Sequence, residues 1–161
     1  MPLSDAQIDR FARQIILPGV GAAGQARLLE ARVAVCGTAK GARHAVRYLR
    51  AGGLQVCATD AEPTPEFAII AGTLGAECDG ARVLHARGTT IVWYETDGRR
   101  IRSGVASPDR EFPIARNRSA ESAAADDEPL HAVAACDAVN TLIAVILAWS
   151  EAEWTGEVEL A

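Results

Sequence analysis

The sequence predicts an α/β fold with a mainly parallel sheet flanked by helices, and three observations carry that prediction. Val33-Ala34-Val35-Cys36 is a short apolar run ending at Gly37, the pattern of a strand buried on both faces. Ala42 to Arg50 then places Ala42, Ala45, Val46 and Leu49 on one helical face and Arg43, Arg47 and Arg50 on the other, until Gly52-Gly53 stops the helix. Leu54, Val56 and Ala58 alternate as the next strand, with Asp60 at its end. Strand, turn, helix, strand and acid make a Rossmann-like βαβ start, in which ligands bind beyond the carboxyl ends of the strands.

The turn departs from the dinucleotide fingerprint G-x-G-x-x-G, in which each glycine has its own task. Gly37-Thr38-Ala39-Lys40-Gly41-Ala42 keeps the first glycine, which makes the tight turn. Ala39 puts a methyl where a phosphate approaches the backbone. On these residues alone a plain βα turn and a degenerate nucleotide site are both open.

A length of 161 residues predicts one domain with a real core. Composition is that of a globular chain, 49% hydrophobic and 23% charged, and the net charge of −5 leaves no basic footprint for nucleic acid. Lys40 is the only lysine. Cys36, Cys57, Cys78 and Cys136 form no C-x-x-C pair and read as reduced packing cysteines, two of them in buried strands, with Cys136 in the core of the last helix. No metal site is predicted. The N-terminus has no basic-then-apolar signal pattern. Ala132 to Trp149 is the most apolar stretch, but Asp137 at its centre is costly in lipid, so a core helix is expected rather than a membrane span. The expectation is a cytoplasmic protein.

The other elements follow in order. Ser4-Asp5-Ala6-Gln7 is a capping box. It opens a helix with Ile8, Phe11, Ala12, Ile15 and Ile16 on one face, ended by Pro18-Gly19. On pattern alone, Arg10 and Arg13 are solvated charges of that helix. A second helix spans Ala22 to Ala31 and turns Ala26, Leu28 and Leu29 inward. Phe67 to Gly75 reads as a strand, Glu77 to Arg87 as a helix weakened by Gly80, and Thr89 to Glu95 as a strand of β-branched and aromatic residues. Asp97-Gly98 signals a hairpin to Ile101–Ala106. Asp109 to Glu128 is polar and reads as a flexible loop. Pro129 to Ser150 is a long helix, apolar nearly all round, to be buried in the fold or against a partner subunit. Asp137 and Asn140 are either a paired polar spot there or face solvent. Gly156 to Leu160 is a last strand. The expected parts of the single domain are 1–31 (N-terminal helices), 32–107 (α/β core), 108–128 (loop) and 129–161 (helix and strand).

Arg10-Phe-Ala-Arg-Gln-Ile-Ile-Leu-Pro18, then Gly21-Ala-Ala-Gly-Gln25, then Leu28 to Gly37 resemble the opening of the ThiF/MoeB/HesA family, bacterial relatives of ubiquitin-activating E1 enzymes. That family begins R-[YF]-x-R-Q-I-x-L, then G-x-x-G-Q, then a strand into G-x-G-G-x-G. Tyr48-Leu-Arg-Ala-Gly-Gly53 is similar to the Y-L-x-x-A-G that closes its first Rossmann helix. The resemblance implies an E1/ThiF-type domain, here shortened. It also implies dimerisation and adenylation, with Mg-ATP, of the C-terminal glycine of a ubiquitin-like modifier or sulfur carrier.

Carried over residue by residue, the resemblance assigns Asp60 to the ATP ribose and Arg13 to a phosphate contact across the dimer. Gly37, Lys40 and Gly41 fall in the phosphate turn. Other family positions are replaced. Ala61-Glu-Pro-Thr-Pro65 stands where the family has S-N-L-x-R-Q, and no arginine follows until Arg82. The family's essential lysine has no counterpart. Thr73 matches the run that ends in the magnesium-binding acid, but Leu74 takes the acid's place. The C-x-x-C zinc pair and the loop cysteine are also missing. Removing one preorganised donor typically costs a factor of about 10²–10³ in rate.

The reading is therefore a degenerate, non-catalytic subunit, a homodimer or the partner of an active E1-like subunit, with no resident cofactor expected. ATP and Mg remain the ligands to test. Three alternatives stay open: a small adenylyltransferase whose phosphate site is rebuilt around Lys40, a nucleotide-free scaffold, and a hydride-transfer Rossmann enzyme, against which the N-terminal motif counts.

Overall fold

The computed structural model describes residues 2–37, 39–71, 79–96, 100–110, 112, 128–148 and 155–159. Its centre is a six-stranded sheet in the order β2-β1-β3-β4-β5-β6. β1 (Arg32–Gly37) runs parallel to β2 (Gln55–Cys57) on one side and to β3 (Phe67–Ala71) on the other. β3 pairs in parallel with β4 (Thr90–Thr96). β5 (Arg100–Ala106) and β6 (Thr155–Glu159) complete the sheet antiparallel. The fold class is the expected one, and β3, whose Ala68, Ile69, Ile70 and Ala71 are all buried, reads as apolar because it is covered on both faces.

The two faces are covered unequally. On one lie α2 (Gly21–Glu30), α3 (Ala39–Gly52) and α5 (Glu128–Leu147), which join Val33, Ile69, Val92 and Tyr94 in the main core. Ala134, Ala135 and Ala138 of α5 let it approach the sheet and α3 closely, with Leu142 and Ile146 filling the space below. On the other face α4 (Asp79–Ala86) packs Ala81 and Leu84 against Ala34, Cys36, Ala68, Ile70 and Ile91. Phe112 extends that smaller core, edge-on to His85 at 5.5 Å and beneath Arg82, whose guanidinium carbon lies 5.8 Å from the ring centroid.

Several elements differ from expectation. α3 begins at Ala39 rather than Ala42, so Ala39, Lys40 and Gly41 are already helical. β2 is three residues long, and as an edge strand it leaves Cys57 only half-buried; Ala58 is exposed. Burial nonetheless raises the Cys57 thiol pKa, partly offset by the Arg32 charge. α5 starts one residue earlier and ends at Leu147, where Ala148 takes a left-handed φ of 55°. Cys136 is half-buried rather than in the core. Asp137 and Asn140 both face outward, and Asp137 Oδ2 accepts from Ser103 Oγ at 2.9 Å. Among the described residues α5 is the one helix long and apolar enough to cross a membrane, and 56% of that stretch is buried inside the protein. Asp97-Gly98, Cys78, Thr73, Leu74 and most of the 108–128 loop lie outside the described residues.

The first helix, α1 (Asp5–Ile15), forms behind the predicted capping box, with Gln7 N–H on Ser4 Oγ at 3.3 Å and Ser4 N–H on Gln7 Oε1 at 2.8 Å. Its apolar face does not all turn inward. Phe11 alone is buried, while Ile8 is 45% exposed, Ile16 78% and Leu17 51%. The spacing identifies an apolar face but not what covers it.

Candidate functional site

β1 is flanked by β2 and β3, so the chain leaves it in opposite directions, the kind of switch point beyond whose strand carboxyl ends open α/β sheets form a binding crevice. Gly37 stands at its base, in register with Ala71 of β3. Its φ is +118°, and a Cβ there would lie 2.1 Å from the Ala71 carbonyl oxygen. Only glycine permits this turn and this approach. α3 starts after the single residue Thr38, which lies outside the described residues, and so directs its N-terminus at the crevice. The N–H groups and dipole of a helix N-terminus favour an anion.

Lys40 lies in the first turn of α3, not in a loop before it, and is half-buried; Gly41 beside it is buried. A cation in this turn adds to the positive end of the helix. Asp60 follows β2 in an exposed turn closed by Ala61 N–H on Ala58 O at 3.2 Å. Cys57 is in register with Ala34, so Asp60, in the turn after β2, and Gly37, at the end of β1, both lie beyond that pair toward the carboxyl ends of the strands. Thus Gly37, Lys40, Gly41 and Asp60 gather at one end of the fold. The arrangement offers a hydroxyl acceptor, a tight turn and a positive helix end, which suits a nucleoside with its first phosphate. Among the described residues no group of three or more His, Cys, Asp or Glu side chains comes together.

Arg13 is elsewhere. It is exposed on α1, has no side-chain partner among the described residues, and belongs to the layer that covers the far end of α3. Its neighbours in the motif are engaged. Arg10 Nη2 donates to Arg50 O at 3.3 Å and Gln14 Nε2 to Ala51 O at 3.3 Å. Arg10 is exposed, as a solvated helix charge is, but it also has a partner 40 residues away, a contact that helical spacing cannot reveal.

Further features were invisible in the pattern. Glu95 and Arg102 form a half-buried cross-strand ion pair at 3.7 Å near the carboxyl end of β4. Tyr94 is fully buried among α5 and the sheet, its Oη has no partner among the described residues, and burial pushes its pKa well up. His131 Nδ1, in the first turn of α5, is likewise buried without a partner. An open cleft of about 340 Å³ lies at the opposite, amino end of β1 and β3, between Arg27, Glu30, Glu66, Phe67 and Ile146.

No family model matches this chain. A curated protein, the SAMP-activating enzyme E1 of Haloferax volcanii, is 43% identical over 54 residues, which is 34% of this chain and 20% of that enzyme. The match thus spans about a fifth of the relative's length. Among solved structures, PaaA superposes with a TM-score of 0.66 at 11% identity, covering 99% of this chain and 84% of PaaA. The structure of Escherichia coli MccB with selenomethionine MccA gives 0.63 at 10% identity, covering 99% and 73%. At such identities the likeness shows the fold. The E1 match is a local likeness over 54 residues.

Proposed function

We propose that this chain is a degenerate E1-like subunit, non-catalytic in itself, that dimerises and supports adenylation of a ubiquitin-like or sulfur-carrier protein by an active partner. In that reaction a carrier carboxylate oxygen attacks the α-phosphorus of ATP and pyrophosphate leaves. The reading rests chiefly on Arg13. Arg10 and Gln14, its motif neighbours, are used by the fold, whereas Arg13 is exposed and has no partner among the described residues. A cation held outward on the same helix as the uncovered Ile8 and Ile16 is suited to a partner's phosphates. The chain keeps Asp60 and Gly37, which the resemblance assigns to the ribose and the tight turn, while the family's phosphate arginine, essential lysine and metal acid are replaced in the sequence. The neighbour solved as MccB with MccA makes a peptide or protein tail the natural class of second substrate.

A second reading keeps the chain active. Lys40 in the first turn of α3 stands where a helix end already favours phosphate. Calorimetric titration of the purified chain with Mg-ATP separates the two. The non-catalytic reading expects no heat up to millimolar ATP. Micromolar binding, followed by ATP–pyrophosphate exchange by the chain alone, would overturn it in favour of a site rebuilt around Lys40.

A further inference from the structure

The last carbonyls of α3 are each given a partner by a different part of the chain. Gly53, with φ +91°, and Leu54 close the helix by donating to Arg50 O at 3.2 Å and Leu49 O at 3.0 Å. The carbonyls of Ala51 and Gly52 are left over. Gln14 Nε2 takes Ala51 O at 3.3 Å and Gln25 Nε2 takes Gly52 O at 3.1 Å. Arg10 Nη2 adds a bond to Arg50 O at 3.3 Å.

Between Arg10 and Gln14 the helix is kinked. Phe11 has a non-helical φ of −107° and ψ of 15°, and its buried ring rests against Gly53, where a Cβ would lie 2.9 Å from Phe11 Cζ and 3.1 Å from Gln25 Nε2. The Arg10 guanidinium carbon lies 5.0 Å from the same ring's centroid. One limb of α1 is fastened by Arg10, the other by Gln14, and Arg13 sits on the second limb next to Gln14.

We propose that Arg10, Gln14 and Gln25 are positioning residues. Arg10 and Gln14 form a clasp that fixes the kinked α1 to the end of α3, Gln25 ties α2 to the neighbouring carbonyl beside Phe11, and together they set the direction in which Arg13 leaves the surface. Burial alone does not fix that direction, because Phe11 is the one buried residue of α1. The R-x-x-R-Q and G-Q spacings acquire a physical meaning: every polar side chain in them except Arg13 answers a carbonyl of α3. The use of Arg13 rests on the function proposed above; the clasp itself does not.

Amide hydrogen exchange of the chain with Gln14→Ala, Arg10→Ala and both is the test. A side-chain bond to a carbonyl contributes about 1 kcal/mol, so each loss speeds local opening about fivefold. The amides of Ile16 and Leu17, bonded to Ala12 O and Gln14 O, are expected to exchange faster by that factor, while those of β1 and β3 keep their protection. Gln14→Glu replaces the donor by an acceptor and behaves like alanine; Arg10→Lys keeps a donor and recovers most of the protection. Unchanged α1 exchange in the double variant, or equal acceleration throughout the chain, overturns the clasp.

In a pair whose adenylation falls on Arg13→Ala, Gln14→Ala is expected to lower kcat severalfold and leave the KM for ATP unchanged. An unaltered kcat there overturns the aiming role. If Arg13→Ala changes nothing in any pair, the Arg13 reading falls, and the exchange data still decide the clasp.

Discussion

The two faces of the sheet are built from the same strands but to different depths. One face carries three helices and most of the buried volume, with α5 and α3 packed on each other as well as on β1, β3 and β4. Among the described residues the other carries α4, eight residues long, and Phe112. The alternating residues of β4 state the difference in small: Val92 and Tyr94 point into the deep core, Ile91 and Trp93 into the shallow one. A cavity opened in the deep core has walls on every side, whereas one beneath a single short helix can close by a shift of that helix. The cost of a truncation depends on how well its site can collapse.

Leu142→Ala against Leu84→Ala sharpens that contrast. Both leucines are essentially fully buried. Leu142, on α5 in the deep core, is expected to cost about 4 kcal/mol, and Leu84, on α4, about 2 kcal/mol, within the range for such truncations. Equal losses by chemical denaturation would break the comparison. Phe112→Ala is expected to cost about 1 kcal/mol, from its contacts with His85 and Arg82, and to speed amide exchange in α4 while β1 stays protected. Global destabilisation with no local signature would show the shallow face to be fully coupled to the deep one.

The smallest effect belongs to Tyr94→Phe. The hydroxyl lies buried with no partner among the described residues, so its removal is expected to be neutral or to stabilise by up to about 1 kcal/mol at pH 7. Burial raises the phenol pKa above its ordinary value of 10.0, so in that range the folded state holds a proton that the unfolded state has lost. Stability from this group is complete below pH 10 and falls as pH rises beyond it. The variant's stability should therefore decline less steeply above pH 10, as measured by denaturation midpoints.

What was legible in the sequence follows the same division. β1, β3 and β4 were readable because burial on both faces leaves apolar runs, and α5 because it is covered on several sides. The reach of α3 was not. Ala39, Lys40 and Gly41 resemble loop residues, and the helix starts one residue after a strand. What covers the α1 face was not legible, because Ile8 and Ile16 have helical spacing whether they meet this core, a partner or water. Of the candidate site, Gly37 was foreseen with its physical reason, since its φ and the Ala71 carbonyl admit no side chain. The engagement of Arg10 and Gln14 was not, because a bond to a carbonyl nearly 40 residues away leaves no local periodicity.

Trp93 gives the shallow face a voice of its own. Its indole lies flat on Gly104 of β5, so close that a Cβ at Gly104 would meet the ring at 2.8 Å. The ring is held by the β4–β5 pairing and by that pairing's freedom from a side chain at one place. Its fluorescence is therefore a built-in optical gauge of the hairpin. With Trp149 and Trp154 replaced by phenylalanine, a red shift in Trp93 emission would report the parting of β4 and β5 before the deep core yields.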